Sequence, residues 1–167
     1  MKKIMTTTNY QKVTLVLYPN TFGVGFVICE GPKEILDYGI KKVRPISHHK
    51  YMKKVKWLLD FCKPDIILLL DYKSRKISKR QKRIIDEIVQ LAHASNLNLK
   101  SYSRSQIKQT FLIFNAKTKY DIAMVILNWY PELKNKEPHK RLPWMAEHYQ
   151  MGVFDTFSLM LTHYYLE

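Results

Sequence analysis

Five consecutive aliphatic residues, Ile66-Ile67-Leu68-Leu69-Leu70, stand between Asp65 and Asp71. The run is far shorter than the roughly 20 apolar residues of a membrane helix, and too short for a buried helix, so it predicts a strand covered on both faces. Such a strand needs a sheet with helices above and below it, and helical periodicity flanks it on both sides. Met52, Val55, Leu58, Leu59 and Cys62 predict a helix over about 49–63, stopped by Pro64. Ser78 with Gln81 forms a capping-box pattern, and Ile84, Ile85, Ile88 and Leu91 carry the next helix to about Ala94.

The remaining elements follow the same logic. Val13–Tyr18, Gly25–Cys29 and Ile35–Val43 are rich in β-branched and aromatic residues and are separated by Pro19-Asn20 and Gly31-Pro32, which predicts three strands in an antiparallel meander. Leu97–Tyr102 is a further short strand. Ser103 with Gln106 opens a helix carrying Ile107, Phe111 and Phe114, and Thr118 with Asp121 opens another that ends before Pro131. A polar loop to about Trp144 precedes a last helix over about 150–165, with Val153, Phe157, Met160, Leu161 and Tyr164 on one side. Three strands, helix, strand, helix, strand and then helices make an α/β protein with a mixed five-stranded sheet, antiparallel at one edge and parallel at the other. This is the ribonuclease H-like order. A Rossmann-like or flavodoxin-like sheet is the rival on periodicity, but no glycine-rich phosphate loop follows any strand.

The chain has 167 residues, 46% hydrophobic and 25% charged, as expected of one globular domain over 13–167 behind a flexible segment over 1–12. Its 28 Lys and Arg against 14 Asp and Glu give a formal net charge of +14, which makes nucleic acid the first partner to consider. Two cysteines, Cys29 and Cys62, cannot form a disulfide framework, so a reducing, cytoplasmic setting is expected and each reads as a small buried hydrophobe. Met1-Lys2-Lys3-Ile4 leads into polar residues instead of a signal sequence, and no membrane partner is expected.

The positive charge is concentrated. Seven of the eleven residues from Lys73 to Arg83 are basic (Lys73, Arg75, Lys76, Lys79, Arg80, Lys82 and Arg83), and the acid-free stretch from Ile88 to Tyr120 adds Arg104, Lys108, Lys117 and Lys119 among others. With no acid interleaved in the first run, intrahelical ion pairs do not explain it. Contact with phosphates does, by counterion release, and a solvated helix face is the alternative. Trp129, Tyr130, Trp144, Tyr149, Tyr164 and Tyr165 are candidates for stacking on unpaired bases or for core packing. The six histidines include the pair His48-His49, which has no partner at a zinc spacing.

Two carboxylates have positions suited to chemistry. Asp71 follows the buried strand, and the carboxyl ends of strands are where ligands bind in open α/β sheets, although Asp is also a common turn residue. Asp155 lies early in the apolar last helix, where the helix dipole favours it and burial demands a partner. Two such groups with waters and a substrate phosphate suffice for Mg²⁺ or Mn²⁺.

Short motifs, by their order and spacing along the chain, suggest a family resemblance for these residues. Tyr18-Pro19-Asn20 with Gly25-Phe26, Gln106-Ile107-Lys108-Gln109-Thr110, and Phe154-Asp155-Thr156-Phe157-Ser158-Leu159 with Thr162-His163 resemble segments of the RuvC-type Holliday-junction resolvases, over most of the chain from Val13 to Tyr165. The resemblance implies a ribonuclease H-like domain, four metal-ligand positions falling on Tyr18, Asp71, Gly152 and Asp155, and their convergence at one end of the sheet. Asp71 and Asp155 are then the catalytic and metal-holding carboxylates. Tyr18 and Gly152 are degenerate ligand positions, Glu147 is a candidate substitute ligand, and Lys108 matches a lysine expected at the scissile phosphate. It also implies a homodimer. The expected function is a divergent Mg²⁺-dependent endonuclease on branched or duplex DNA, with recombination and repair as its setting. The alternative is an inactive nucleic-acid-binding or assembly module of the same fold. An enzyme acting on small anionic metabolites would suit the charge but lacks a phosphate loop.

Overall fold

A computed structural model describes residues 12–45, 47–73 and 76–167. Apart from Lys12, the N-terminal segment expected to be flexible lies outside the described residues, as does Arg75. Strands β1 (Thr14–Asn20), β2 (Gly23–Cys29) and β3 (Ile35–Lys42) precede helix α1 (His48–Cys62), strand β4 (Ile66–Asp71), helix α2 (Lys79–Ala94) and strand β5 (Asn98–Ser103). Helices α3 (Arg104–Leu112), α4 (Lys119–Trp129) and α5 (Met151–Leu166) complete the order, with a 3₁₀ turn over Pro131–Lys136 inside the segment expected to be a polar loop. The sheet runs β3-β2-β1-β4-β5. β1 pairs antiparallel with β2 and β2 with β3, while β4 pairs parallel with both β1 and β5. This is the mixed five-stranded sheet expected from the sequence.

Alternation along the central strands divides the core. Leu15, Leu17, Ile67 and Leu69 pack with Val55 and Leu58 of α1 and Ile84 and Ile88 of α2. Val16, Tyr18, Leu68 and Leu70 face the other way, against Ile107, Ile126, Phe154 and Phe157 of α3, α4 and α5. Three helix starts carry the caps their sequences announce. Ser78 accepts from the Gln81 amide at 3.1 Å, and Ser103/Gln106 and Thr118/Asp121 form reciprocal capping boxes.

The structure departs from expectation in three places. Pro19-Asn20 extends β1 instead of breaking it, because pairing with β4 ends at Leu17 and leaves an edge where proline is tolerated. Asn20 then makes the turn, its Oδ1 accepting from the amides of Phe22 (2.8 Å) and Gly23 (3.1 Å). Helix α3 stops at Leu112, which leaves Phe114 outside it. The one-sided stripe expected for α5 is the third departure, since every residue from Met151 to Met160 is buried. Helices α3 and α4 cover α5 from outside, so both of its faces are interior. Among the described residues no helix is long and apolar enough to cross a membrane.

Two glycines seat α5 on the sheet. A Cβ on Gly25 would stand 2.4 Å from Thr156 Oγ1 and 3.0 Å from the Gly152 carbonyl oxygen, and a Cβ on Gly152 would stand 2.7 Å from Asn20 Nδ2. The first turn of α5 therefore lies against the β1–β2 hairpin at the carboxyl end of β1.

Candidate functional site

That close approach forms a hollow of about 240 Å³, lined among others by Tyr18, Asn20, Tyr72, Lys119, Glu147 and Asp155. Tyr72 Oη and Gln81 Nε2 both donate to the Pro19 carbonyl at 3.4 Å, tying the segment after β4 and the start of α2 to its rim. Tyr18, only 5% exposed, and Gly152 both line it. Lys76 of the basic run reaches it as well.

The electrostatic centre is a lysine between two carboxylates. Lys119 Nζ donates to Glu147 Oε1 at 3.0 Å and to Asp155 Oδ2 at 3.4 Å. Burial pushes the Asp155 carboxyl up to about 6 from 3.8 and the Glu147 charge acts in the same direction, opposed by Lys119 and Arg104. His148, which pairs edge-to-face with His139 at 4.4 Å, is shifted down by burial and by that neighbour.

Asp71 is elsewhere. Leu68 and Leu70 face α5 with Tyr72, whereas Ile67 and Leu69 face α1 and α2, and the alternation places Asp71 with the second set. Its Oδ1 accepts the Lys73 amide at 3.0 Å in a local turn, and it borders a separate hollow with Leu69, Ile85 and Val89. The expectation that Tyr18, Asp71 and Asp155 converge is thus corrected. Tyr18 and Asp155 meet, Asp71 lies across the sheet, and Tyr72 takes the β4-end place in the hollow. Glu147 does come to Asp155, through the segment just before α5.

This donor set does not fit a two-ion centre. Two carboxylates share the hollow, the single Lys119 ammonium already engages both and offsets only one of their charges, and the first-strand position is a phenol instead of a carboxylate. Among the described residues no group of three or more His, Cys, Asp and Glu is placed to hold a metal ion. Sequence reasoning missed Tyr72 and the bridging role of Lys119. Strand alternation past Leu70 would have found the first, but the second depends on a contact between α4 and α5.

The other candidates sort by exposure. Lys73, Lys76, Lys79, Arg80, Lys82 and Arg83 are exposed on the segment after β4 and the start of α2, Arg104 is half-buried near Asp155, and Lys108 and Lys117 are exposed. Tyr130 and Tyr164 are structural, with Tyr130 Oη donating to the Pro32 carbonyl at 2.5 Å and Tyr164 Oη to Thr14 Oγ1 at 3.4 Å. Trp129 packs edge-on against Phe114, while Trp144, Tyr149 and Tyr165 are exposed. Both cysteines are free, Cys29 buried and Cys62 half-buried, and burial raises both thiols, Cys62 to about 11.

Neither a family model nor a curated protein matches the chain by sequence. Solved structures match it by shape. A Thermus thermophilus RuvC structure aligns with a TM-score of 0.62 at 14% identity, covering 92% of this chain and 93% of that one. T. thermophilus RuvC in complex with a Holliday junction substrate aligns with the same TM-score and coverage at 13% identity. With its strand order, its mixed pairing and the last helix laid across the carboxyl end of β1, the chain has the ribonuclease H-like fold in its RuvC form.

Proposed function

We infer that this protein binds branched or duplex DNA across the carboxyl end of its sheet and does so without metal-dependent hydrolysis, as a recognition or assembly module of the RuvC form. The observation that carries the loss of hydrolysis is the Lys119 bridge between Glu147 and Asp155, which puts a fixed ammonium where a divalent cation would need both carboxylates. A net charge of +14 supports DNA as the ligand, and so does the position of the basic run, whose Lys76 lines the Asp155 hollow beside the start of α2. That helix end, capped by Ser78, adds the partial positive charge of its free amides. The T. thermophilus RuvC complex with a Holliday junction is a neighbour by fold, which makes branched DNA the first ligand to try.

The basic run contacts phosphates and carries no base-reading motif, so affinity should be set by charge and fall steeply with salt. The test compares four-way junction, duplex and unrelated polyanion in gel-shift and cleavage assays with Mg²⁺ and with Mn²⁺. Binding to DNA with the junction left intact is expected. Junction cleavage that disappears in Asp155→Asn would overturn the loss of hydrolysis, and equal affinity for polyglutamate would overturn DNA as the ligand. Self-association, implied by the family resemblance, is read in the same samples by light scattering.

A further inference from the structure

On the other side of the Phe22–Gly23 corner a second concavity opens between the end of β3 and the first half of α1. It has a volume of about 470 Å³, and its charged lining is entirely basic: Lys41, Lys42, Arg44, Lys50, Lys53 and Lys54. Exposed lysines on successive turns repel one another, so so dense a set without acids implies an anionic occupant. Asp37, earlier on β3, does not line this groove, and Asp60 and Glu87 border a neighbouring hollow, where Glu87 is ion-paired with His48.

Trp57, in the wall of this groove, begins an aromatic column that continues in Phe61, one helical turn beyond the lining. Lys41 Nζ lies 4.4 Å from the Trp57 ring centroid, and Trp57 stacks on Phe61 with centroids 5.0 Å apart and planes 8° from parallel. Trp57 is 50% exposed and Phe61 60%, although neither serves the core beneath α1. Ordered flat rings standing in solvent beside a row of cations are the two elements that grip an unpaired strand, with phosphates on the lysines and a base continuing the stack. A duplex keeps its bases stacked inside and offers nothing to Phe61. The groove adjoins the Asp155 hollow, since Lys42 Nζ lies 5.0 Å from the ring of Tyr149, which lines that hollow.

We propose that the groove between β3 and α1 is a single-stranded nucleic-acid site, with Lys50, Lys53 and Lys54 on the backbone and the Trp57–Phe61 pair stacking a base. It stands on its own charge and aromatic geometry and holds whether or not the Asp155 hollow meets DNA.

The test uses the full chain with Trp129→Phe and Trp144→Phe, which leaves Trp57 as the one indole. Oligothymidylate should quench its emission, a duplex of equal length should quench it far less, and polyglutamate should not quench it at all. Lys50→Glu, Lys53→Glu and Lys54→Glu together should abolish the quenching. Phe61→Leu, which keeps apolar bulk but removes the flat face, should weaken single-strand affinity about tenfold while leaving duplex affinity unchanged. Replacing Lys79, Arg80 and Arg83 with Ala should lower duplex binding and leave the Trp57 signal intact, so failure here is distinct from failure of the duplex reading. Absence of quenching, equal quenching by duplex, or equal binding of polyglutamate would each overturn the proposal.

Discussion

Replacing Asp155 with Asn tests the reading of the hollow without any DNA. Burial holds the Asp155 carboxyl at about 6 against 3.8 in the unfolded chain. Between those values the folded protein keeps a proton that the unfolded chain has lost, so this group's contribution to stability falls as pH rises, and above about pH 6 the full cost of the buried charge is present. A shift of about two units at 1.36 kcal/mol each is about 3 kcal/mol, and this is an upper bound. The Asn variant takes the Asp155 partner from Lys119, but Lys119 keeps Glu147 at 3.0 Å and has 31% of its side chain in solvent. Asp155→Asn should therefore stabilise the fold at pH 7 to 8 by about 1–3 kcal/mol, with the difference vanishing near pH 4. Urea unfolding across that range measures it. An Asn variant that is less stable at pH 7, or a difference that does not change with pH, would refute the argument that Asp155 is a buried charge with incomplete compensation.

Other outcomes follow from the same geometry. Millimolar Mg²⁺ or Mn²⁺ should leave the Tm of the natural protein unchanged, while in Lys119→Ala the two freed carboxylates should bind Mn²⁺ and raise Tm in a dose-dependent way. Lys79→Ala, Arg80→Ala and Arg83→Ala combined should reduce the slope of log affinity against log salt by about 2 to 3 on duplex DNA, as three lost phosphate contacts require. Gly25→Ala should destabilise by at least about 2 kcal/mol through Thr156 Oγ1, and Thr156→Ala should recover part of the loss, as a double-mutant cycle in urea would show. Gly152→Asp should not rebuild a metal site, since its side chain would meet Asn20 at once, and thermal unfolding should report a loss of about 1–3 kcal/mol.

Most of the fold was legible because its signals are local. The short aliphatic run between Asp65 and Asp71 gave β4, and three Ser or Thr caps placed the starts of α2, α3 and α4 within a residue. Helix α5 was misread as one-sided because its outer face is apolar only in response to α3 and α4, a tertiary fact that periodicity weighs poorly. The site was half legible. Tyr18, Gly152, Asp155 and Glu147 do share one hollow, since motif order tracks the path of the chain past the end of β1. Asp71 did not join them, because one step along a strand exchanges the faces of the sheet and a degenerate motif does not fix a register to one residue. Gly152 is an ordinary helical residue, and what bars a side chain there is the neighbouring Asn20 side chain.

The burial of α5 has a consequence for how the protein is made. The strands β1, β2 and β4 leave the ribosome before α5, yet the face that Val16, Tyr18, Leu68 and Leu70 present is closed chiefly by that helix, beginning at Met151. Until then a greasy half-sheet waits for a partner from the far end of the chain, and Gly25 has no Thr156 to receive it. Closing so long a loop is slow relative to forming hairpins and helices. A nascent chain halted before α5 should therefore be a client for chaperones that hold exposed apolar surface, and release should coincide with the docking of that last helix onto the two glycines.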